Sequence, residues 1–164
     1  MRLFLLRHAE AAPGKKKAMC QLTPKGIESL GRVADFLMQK ELIEIAEIRH
    51  SSWVRSSQTA REFKKLTGIK AETREVPLLE PLADFRILAD IVNSAEENLL
   101  LVGHQPNLSM LASYLLTQES HMDLFNVKKA GLLCLEKVKT TQAKNNWVNS
   151  WQLRWMIVPR ILKK

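Results

Sequence analysis

Two arginines and two histidines of this 164-residue chain stand where apolar runs break off, and together they could handle a phosphoryl group. Arg7 and His8 follow Leu3-Phe4-Leu5-Leu6, Arg55 lies just beyond Ser51-Ser52, and His104 comes after Gly103 at the end of Leu99-Leu100-Leu101-Val102. A guanidinium keeps its charge at any working pH and presents a fork of donors matched to phosphoryl oxygens. An imidazole with an ordinary pKa near ~6.5 attacks as a nucleophile when neutral and donates a proton when charged. Arg55 in the first turn of a helix opposes the helix dipole unless it faces an anion. Each of these residues also has a purely structural reading. His8 can be a capped loop histidine, and His104, followed by Gln105-Pro106-Asn107, can belong to a strand-to-helix junction in which Asn107 is the cap. His50 and His121 have no comparable neighbours and read as surface or supporting residues.

Other chemistries lack their patterns. The four histidines and two cysteines show no HxxxH, HExxH or CxxC spacing, and arginines nearby would repel a cation. There is no GxxxxGK[ST] loop, no GxGxxG after the first strand and no GxSxG elbow. Neither a metal nor a cofactor is expected.

The elements that must position these residues alternate. Residues 2–6, 43–48, 71–76 and 98–102 read as strands, and the apolar run in the last of them is typical of a central parallel strand. Thr23-Pro24 opens a helix whose apolar positions Ile27, Leu30, Val33, Ala34 and Leu37 keep the 3.6 period. A second helix covers 53–66, with Ser51 or Ser52 as cap and Gly68 as its stop; others cover 84–93 and 107–117. Residues 130–137 and 150–158 read as strands separated by a polar turn segment, 139–149. This order predicts a single α/β domain over 1–164, a three-layer α/β/α sandwich with a mostly parallel central sheet and antiparallel last strands. Ligands of such sheets bind outside the carboxyl ends of the strands. Arg7-His8, Ser51 to Arg55 and Gly103-His104 all sit at such ends, so they are expected to converge.

Composition sets the broad class. Hydrophobic residues make up 46% of the chain, enough for a real core. Cys20 and Cys134 leave room for one bridge at most and read as free thiols, and the opening apolar run is far too short for a signal sequence or a span of ~20 residues. A cytoplasmic monomer without membrane contact is the expectation. The net charge of +8 is lopsided: 1–127 is balanced, whereas 128–164 holds nine basic residues against Glu136. A basic C-terminal face of this kind would steer an acidic partner. Trp147, Trp151 and Trp155 could be read as stacking platforms, but Trp151, Leu153, Trp155 and Ile157 alternate with Gln152, Arg154, Met156 and Val158 as one face of a strand. Sheet packing is the preferred reading, and no nucleic-acid partner is expected.

Four ordered segments between residues 3 and 108 resemble the histidine phosphatase superfamily, which includes the cofactor-dependent phosphoglycerate mutases and the acid phosphatases. They are Leu6-Arg7-His8-Ala9, Leu22-Thr23-Pro24-Lys25-Gly26, Ser51 with Arg55-Ser56-Ser57-Gln58-Thr59-Ala60, and Val102-Gly103-His104-Gln105-Pro106. The short length and small insertion after the third strand look like the SixA-type phosphohistidine phosphatases of that superfamily. The resemblance implies that His8 attacks phosphorus and carries the phosphoryl group while Arg7, Arg55 and His104 hold its oxygens, without a metal, and that water then releases inorganic phosphate. It also implies an acid for the leaving group. Glu80 in Leu78-Leu79-Glu80-Pro81 is the nearest match and Asp84 the weaker one, with an ordinary turn residue as the alternative for Glu80. A phosphoramidate leaves readily once its imidazole is protonated, so a weak or missing acid suits phosphohistidine better than a phosphate monoester. Ser52 stands where the family commonly has proline, His50 precedes the usual serine, and Ala9 replaces the commoner glycine. A phosphohistidine-bearing carrier protein is the implied partner, which calls for an open, shallow pocket; Lys15 to Lys17 could touch an acidic carrier. The competing readings are a small-molecule phosphomonoesterase of the same superfamily and a catalytically idle basic protein that binds an acidic partner or nucleic acid.

Overall fold

The computed structural model describes residues 1–40, 42–142 and 146–162, with backbone alone for 139–142 and 146–149. Its elements run β1 (Arg2–Arg7), α1 (Pro24–Gln39), β2 (Glu47–His50), α2 (Val54–Thr67), β3 (Glu72–Glu75), α3 (Phe85–Ser94), β4 (Leu99–Gly103), α4 (Asn107–Thr117), β5 (Leu132–Gln142) and β6 (Asn146–Ile157). They build one sheet in the order β3-β2-β4-β1-β5-β6, with β1 to β4 parallel to one another, β5 antiparallel to β1 and β6 antiparallel to β5.

The alternation of side chains along β1 divides the core. Phe4 and Leu6 face Leu30, Val33, Ala34 and Leu37 of α1 and Ala60 and Phe63 of α2; Leu3 and Leu5 face Leu88 and Val92 of α3 and Leu108, Leu111 and Leu115 of α4. All four of these β1 residues are fully buried. At roughly 1.5–3 kcal/mol for each large apolar side chain taken out of water, the two helical layers are held mainly by this central strand and by β4. The edge strand β3 is exposed at every position and carries Glu72, Arg74 and Glu75, charges that discourage pairing with another sheet. The expected three-layer sandwich is therefore what forms, and no helix among the described residues is long and apolar enough to cross a membrane.

Several local expectations are corrected. The second strand occupies Glu47–His50, not 43–48; Ile43 and Ile45 pack into the core from the approach loop, so burial without ladder pairing produced the apolar signal. In α1, Ile27 is 38% exposed and Gly26 takes the buried place, because the chain at Glu10 runs directly over it. The segment 139–149 is mostly hairpin: β5 continues to Gln142 and β6 starts at Asn146, while 143–145 lie outside the described residues, as does the side chain of Trp147. Beyond Glu136, the last β5 residue paired with β1, the two strands pair only with each other, so polar residues there do not signal a turn. Finally, a bulge places Leu135 opposite Leu153 directly after Cys134 opposite Trp155, leaving Arg154 as the extra residue. It breaks the alternation: Trp151 is buried with α3 and α4, Trp155 packs on the opposite face near Phe4, and Leu153 is 46% exposed.

Candidate active site

The carboxyl end of β1 is fastened from three sides. His8 N–H donates to the Gly103 carbonyl (3.0 Å), Arg7 N–H to Gly131 (3.1 Å), and Ala130 N–H to the Arg7 and His8 carbonyls (3.1 and 3.2 Å). From α2, Thr59 Oγ1 accepts the Ala9 N–H (3.0 Å) and Gln58 Oε1 accepts the Leu22 N–H (2.8 Å). Ser56 Oγ donates to the Val102 carbonyl (2.7 Å) and accepts from Ser51 N–H (3.2 Å), tying β2 to β4. The residues between Ser51 and Ala60 thus hold the loops that carry His8 and His104 in place.

At the centre, His8 Nδ1 lies 2.8 Å from the Ala9 carbonyl, which can only accept, so this nitrogen carries the ring hydrogen. In the neutral ring Nε2 is then left with its lone pair, and Arg55 Nε donates to it at 3.0 Å. The same guanidinium donates to the Lys17 carbonyl and stacks 4.3 Å over Trp53. Trp53 in turn lies 4.8 Å from the His104 ring, and the two imidazoles are 4.9 Å apart between centroids. His104 Nε2 meets Ser51 Oγ at 2.7 Å, whereas among the described residues its buried Nδ1 has no partner; nor does the buried Nε of Arg7, whose Nη1 is held by the Val127 carbonyl at 2.9 Å. Ser51 joins the site as its place at the end of β2 leads one to expect, whereas nothing in the sequence marks Trp53, which stacks between Arg55 and His104, or Lys129, whose charge acts on His8. Ser51 does not cap α2, since its hydroxyl faces His104 and Trp53 occupies the cap position without a side-chain bond. Asn107 is not a cap either. Its amide donates to the Leu78 and Ala83 carbonyls, and Gln105 Oε1 accepts the Ser109 N–H instead.

No family model and no curated protein matches the sequence. Solved structures do match. A protein histidine phosphatase SixA, complexed with tungstate, aligns with a TM-score of 0.80 over 99% of this chain and all of its own (100%), at 21% identity. A proposed phosphohistidine phosphatase SixA from Agrobacterium tumefaciens aligns at 0.73 over 96% of this chain and 97% of its own, with 22% identity. A mycobacterial glucosyl-3-phosphoglycerate phosphatase reaches 0.65 over 93% and 96%, with 16% identity. The fold is that of the histidine phosphatases.

On this histidine-phosphatase fold the sheet brings Arg7, His8, Arg55 and His104 together at the ends of β1 and β4 and the start of α2. Glu80 follows the single turn Pro77–Leu79 after β3, and its carboxylate accepts the Ser52 hydroxyl at 2.5 Å, beside the Ser51–Trp53 segment. Asp84 is placed differently. It caps α3 through the Arg86 N–H and pairs with the Arg86 guanidinium, both at 2.9 Å, which lowers its pKa and suits it to a cap better than to proton donation. His50 bonds its neighbour's carbonyl, His121 is exposed beside Glu119, and both cysteines are free.

The site keeps both central imidazoles neutral. Burial, foremost, and the charges of Arg55, Arg7 and Lys129 push His8 down to about 4 against the opposing bond to Ala9; burial, with His8, Arg55 and Arg7, pushes His104 down to about 3. The unfolded chain titrates both near ~6.5, so it gains protons on acidification that the folded chain refuses until those lower values. Stability is therefore expected to fall as pH drops through about 6.5 toward about 4, by an amount on the order of a few kcal/mol. Urea midpoints at about pH 7 and about pH 5 check this; an unchanged midpoint contradicts it.

Proposed function

We propose that this chain is a phosphohistidine phosphatase that works through a phosphoryl group carried on His8. The observation that carries the reading is the bond from the Arg55 guanidinium to His8 Nε2, whose lone pair is set by the Ala9 contact. When a phosphohistidine enters, Arg55 turns its donors to the phosphoryl oxygens and releases that lone pair. Nε2 attacks phosphorus, the bond from phosphorus to the substrate imidazole breaks, and its electron pair returns to the leaving nitrogen, which takes up a proton. Water then attacks the phosphorus on His8, the P–Nε2 bond breaks, and inorganic phosphate leaves. Arg7 Nε and, with the Ser51 hydroxyl hydrogen given to Nε2, His104 Nδ1–H are donors left for the equatorial oxygens. The likeness to a SixA protein histidine phosphatase supports the substrate class. The four cationic or donor side chains would supply the charge compensation that a metal otherwise brings.

One observation favours a second reading, phosphomonoester hydrolysis: the Glu80 carboxyl is held by Ser52 beside the site, where an alkoxide would need its proton. Phosphate release from a phosphohistidine peptide and from a phosphomonoester, both in EDTA, separates the two. Faster turnover of the peptide is expected, and the reverse order supports the second reading. Glu80→Gln is expected to slow the monoester about 10²-fold or more while slowing the peptide severalfold at most. Equal losses on both substrates would leave Glu80 without a proton-donating role.

A further inference from the structure

A groove of about 860 Å³ opens from Arg7 along the side of the sheet away from Glu80's turn, far larger than a phosphoryl group requires. Its lining draws cations from both ends of the sequence: Arg7, Lys25, Arg32, Lys128, Lys129 and Arg160, against Glu10. Arg32 shares its charge with Glu28 at 3.2 Å, but among the described residues Lys25, Lys128, Lys129 and Arg160 have no ion-pair partner, and all four are exposed. The tertiary structure is selective here. Of the basic C-terminal residues, Lys137 is spent on the Asn93 and Ala95 carbonyls and Arg154 on Glu136, near the opposite end of β1, so the expected single basic face is divided. Lys128 and Lys129 stand on the turn closed by the Gly131 N–H to the Lys128 carbonyl (2.7 Å), directly beside His8. Its lining includes Met156, Val158 and Pro159, and among the described residues no aromatic ring lines it to stack a base.

We infer that this groove docks the acidic surface of the protein that carries the phosphohistidine, laying flanking carboxylates on Lys25, Lys128, Lys129 and Arg160 while the phosphoryl group reaches His8. The inference rests on the phosphohistidine reading for its substrate, but its binding component is testable apart from catalysis. Because Arg7 belongs both to the groove and to the candidate site, a protein that presents a phosphohistidine to His8 has this cationic groove beside it. Glu10, the one carboxylate among the described lining residues, is held by the Thr23 hydroxyl at 3.2 Å.

Two phosphohistidine peptides, alike except for Asp and Glu or Lys around the histidine, provide the test with the full chain. At low salt the acidic peptide is expected to have a kcat/KM about tenfold or more above the basic one, mostly through KM, and the ratio should shrink as salt rises. A Lys25→Glu, Lys128→Glu, Arg160→Glu variant should bring the ratio to about one; single alanine substitutions at Lys128 and Arg160 should lower it in smaller steps if the triple variant does not fold. A ratio near one in the unaltered protein, or a preference retained by the variants, overturns the docking. Fluorescence anisotropy with the unphosphorylated peptides separates the two ideas. If neither phosphopeptide is hydrolysed yet the acidic one binds through these residues, the groove stands and the phosphohistidine reading fails. A single-stranded oligonucleotide of equal charge that binds as tightly overturns the assignment to a protein.

Discussion

Replacing His8 by alanine is expected to lower kcat/KM for a phosphohistidine peptide by at least about 10³-fold, which corresponds to roughly 4 kcal/mol of transition-state stabilisation. No neighbouring nitrogen can stand in. His104 is the nearest candidate, yet its Nε2 is engaged by Ser51 Oγ at 2.7 Å, and when that hydroxyl gives its hydrogen to Nε2 the ring hydrogen sits on Nδ1, which then has no lone pair to attack with. The fold should survive, because the contacts that hold the end of β1 come from the His8 backbone and from Ala9, Gly103 and Gly131, not from the imidazole. Removing the ring also frees Arg55 of one acceptor while leaving its bond to the Lys17 carbonyl and its stacking on Trp53. A melting curve and single-turnover trapping belong together here. The unaltered protein should trap an acid-labile phosphoryl group and the variant should not, and undiminished turnover by the variant would remove His8 as the nucleophile.

Gly26→Ala is expected to be strongly damaging for so small a change. Alanine is a better helix former than glycine, by at most about 1 kcal/mol, the helix-interior value, for a residue in the first turn, so propensity taken alone predicts an α1 no less stable. Packing reverses the sign. A Cβ at residue 26 would sit 2.2 Å from the Glu10 carbonyl oxygen and 2.9 Å from its nitrogen, and both are backbone atoms with little freedom to retreat. The Glu10 carbonyl is already fixed by the Thr23 N–H at 2.9 Å, and Thr23 is the cap that accepts the Gly26 N–H at 3.0 Å. Either α1 shifts away from the sheet or the loop after Ala9 moves, so a loss of about 3 kcal/mol or more is expected, with activity falling further than stability because Glu10 lies two residues from His8. Denaturant midpoints and phosphate release measured on the same preparation would show it. An unchanged or raised midpoint would mean that the close approach is not required.

The two substitutions differ in how they could have been foreseen. His8 is conspicuous in the sequence because it follows an apolar run and an arginine. Gly26 looks there like an ordinary weak point of a helix, and its role depends on a chain segment that crosses it from sixteen residues upstream. The same division runs through the neutral imidazoles: histidines at strand ends can be read from the sequence, but their depressed pKa values come from burial and from cations contributed by three separate segments.

What the amino-acid order determined by itself was the alternation of strands and helices, the three-layer architecture, and the placement of Arg7, His8 and His104 at strand ends and of Arg55 in the first turn of the helix that follows the second strand. These follow from periodicity and punctuation, which act over a few residues. The tertiary structure alone decided that Ser51 serves His104 and not α2, that Asn107 braces the Leu78 and Ala83 carbonyls, that a bulge at Arg154 sends Trp151 and Trp155 to opposite faces, and that Lys128 and Arg160 join Lys25 in one groove while Lys137 does not. A polar side chain bonds whichever partner folding brings within about 3 Å, and that choice is made between segments tens of residues apart, where no local pattern can specify it.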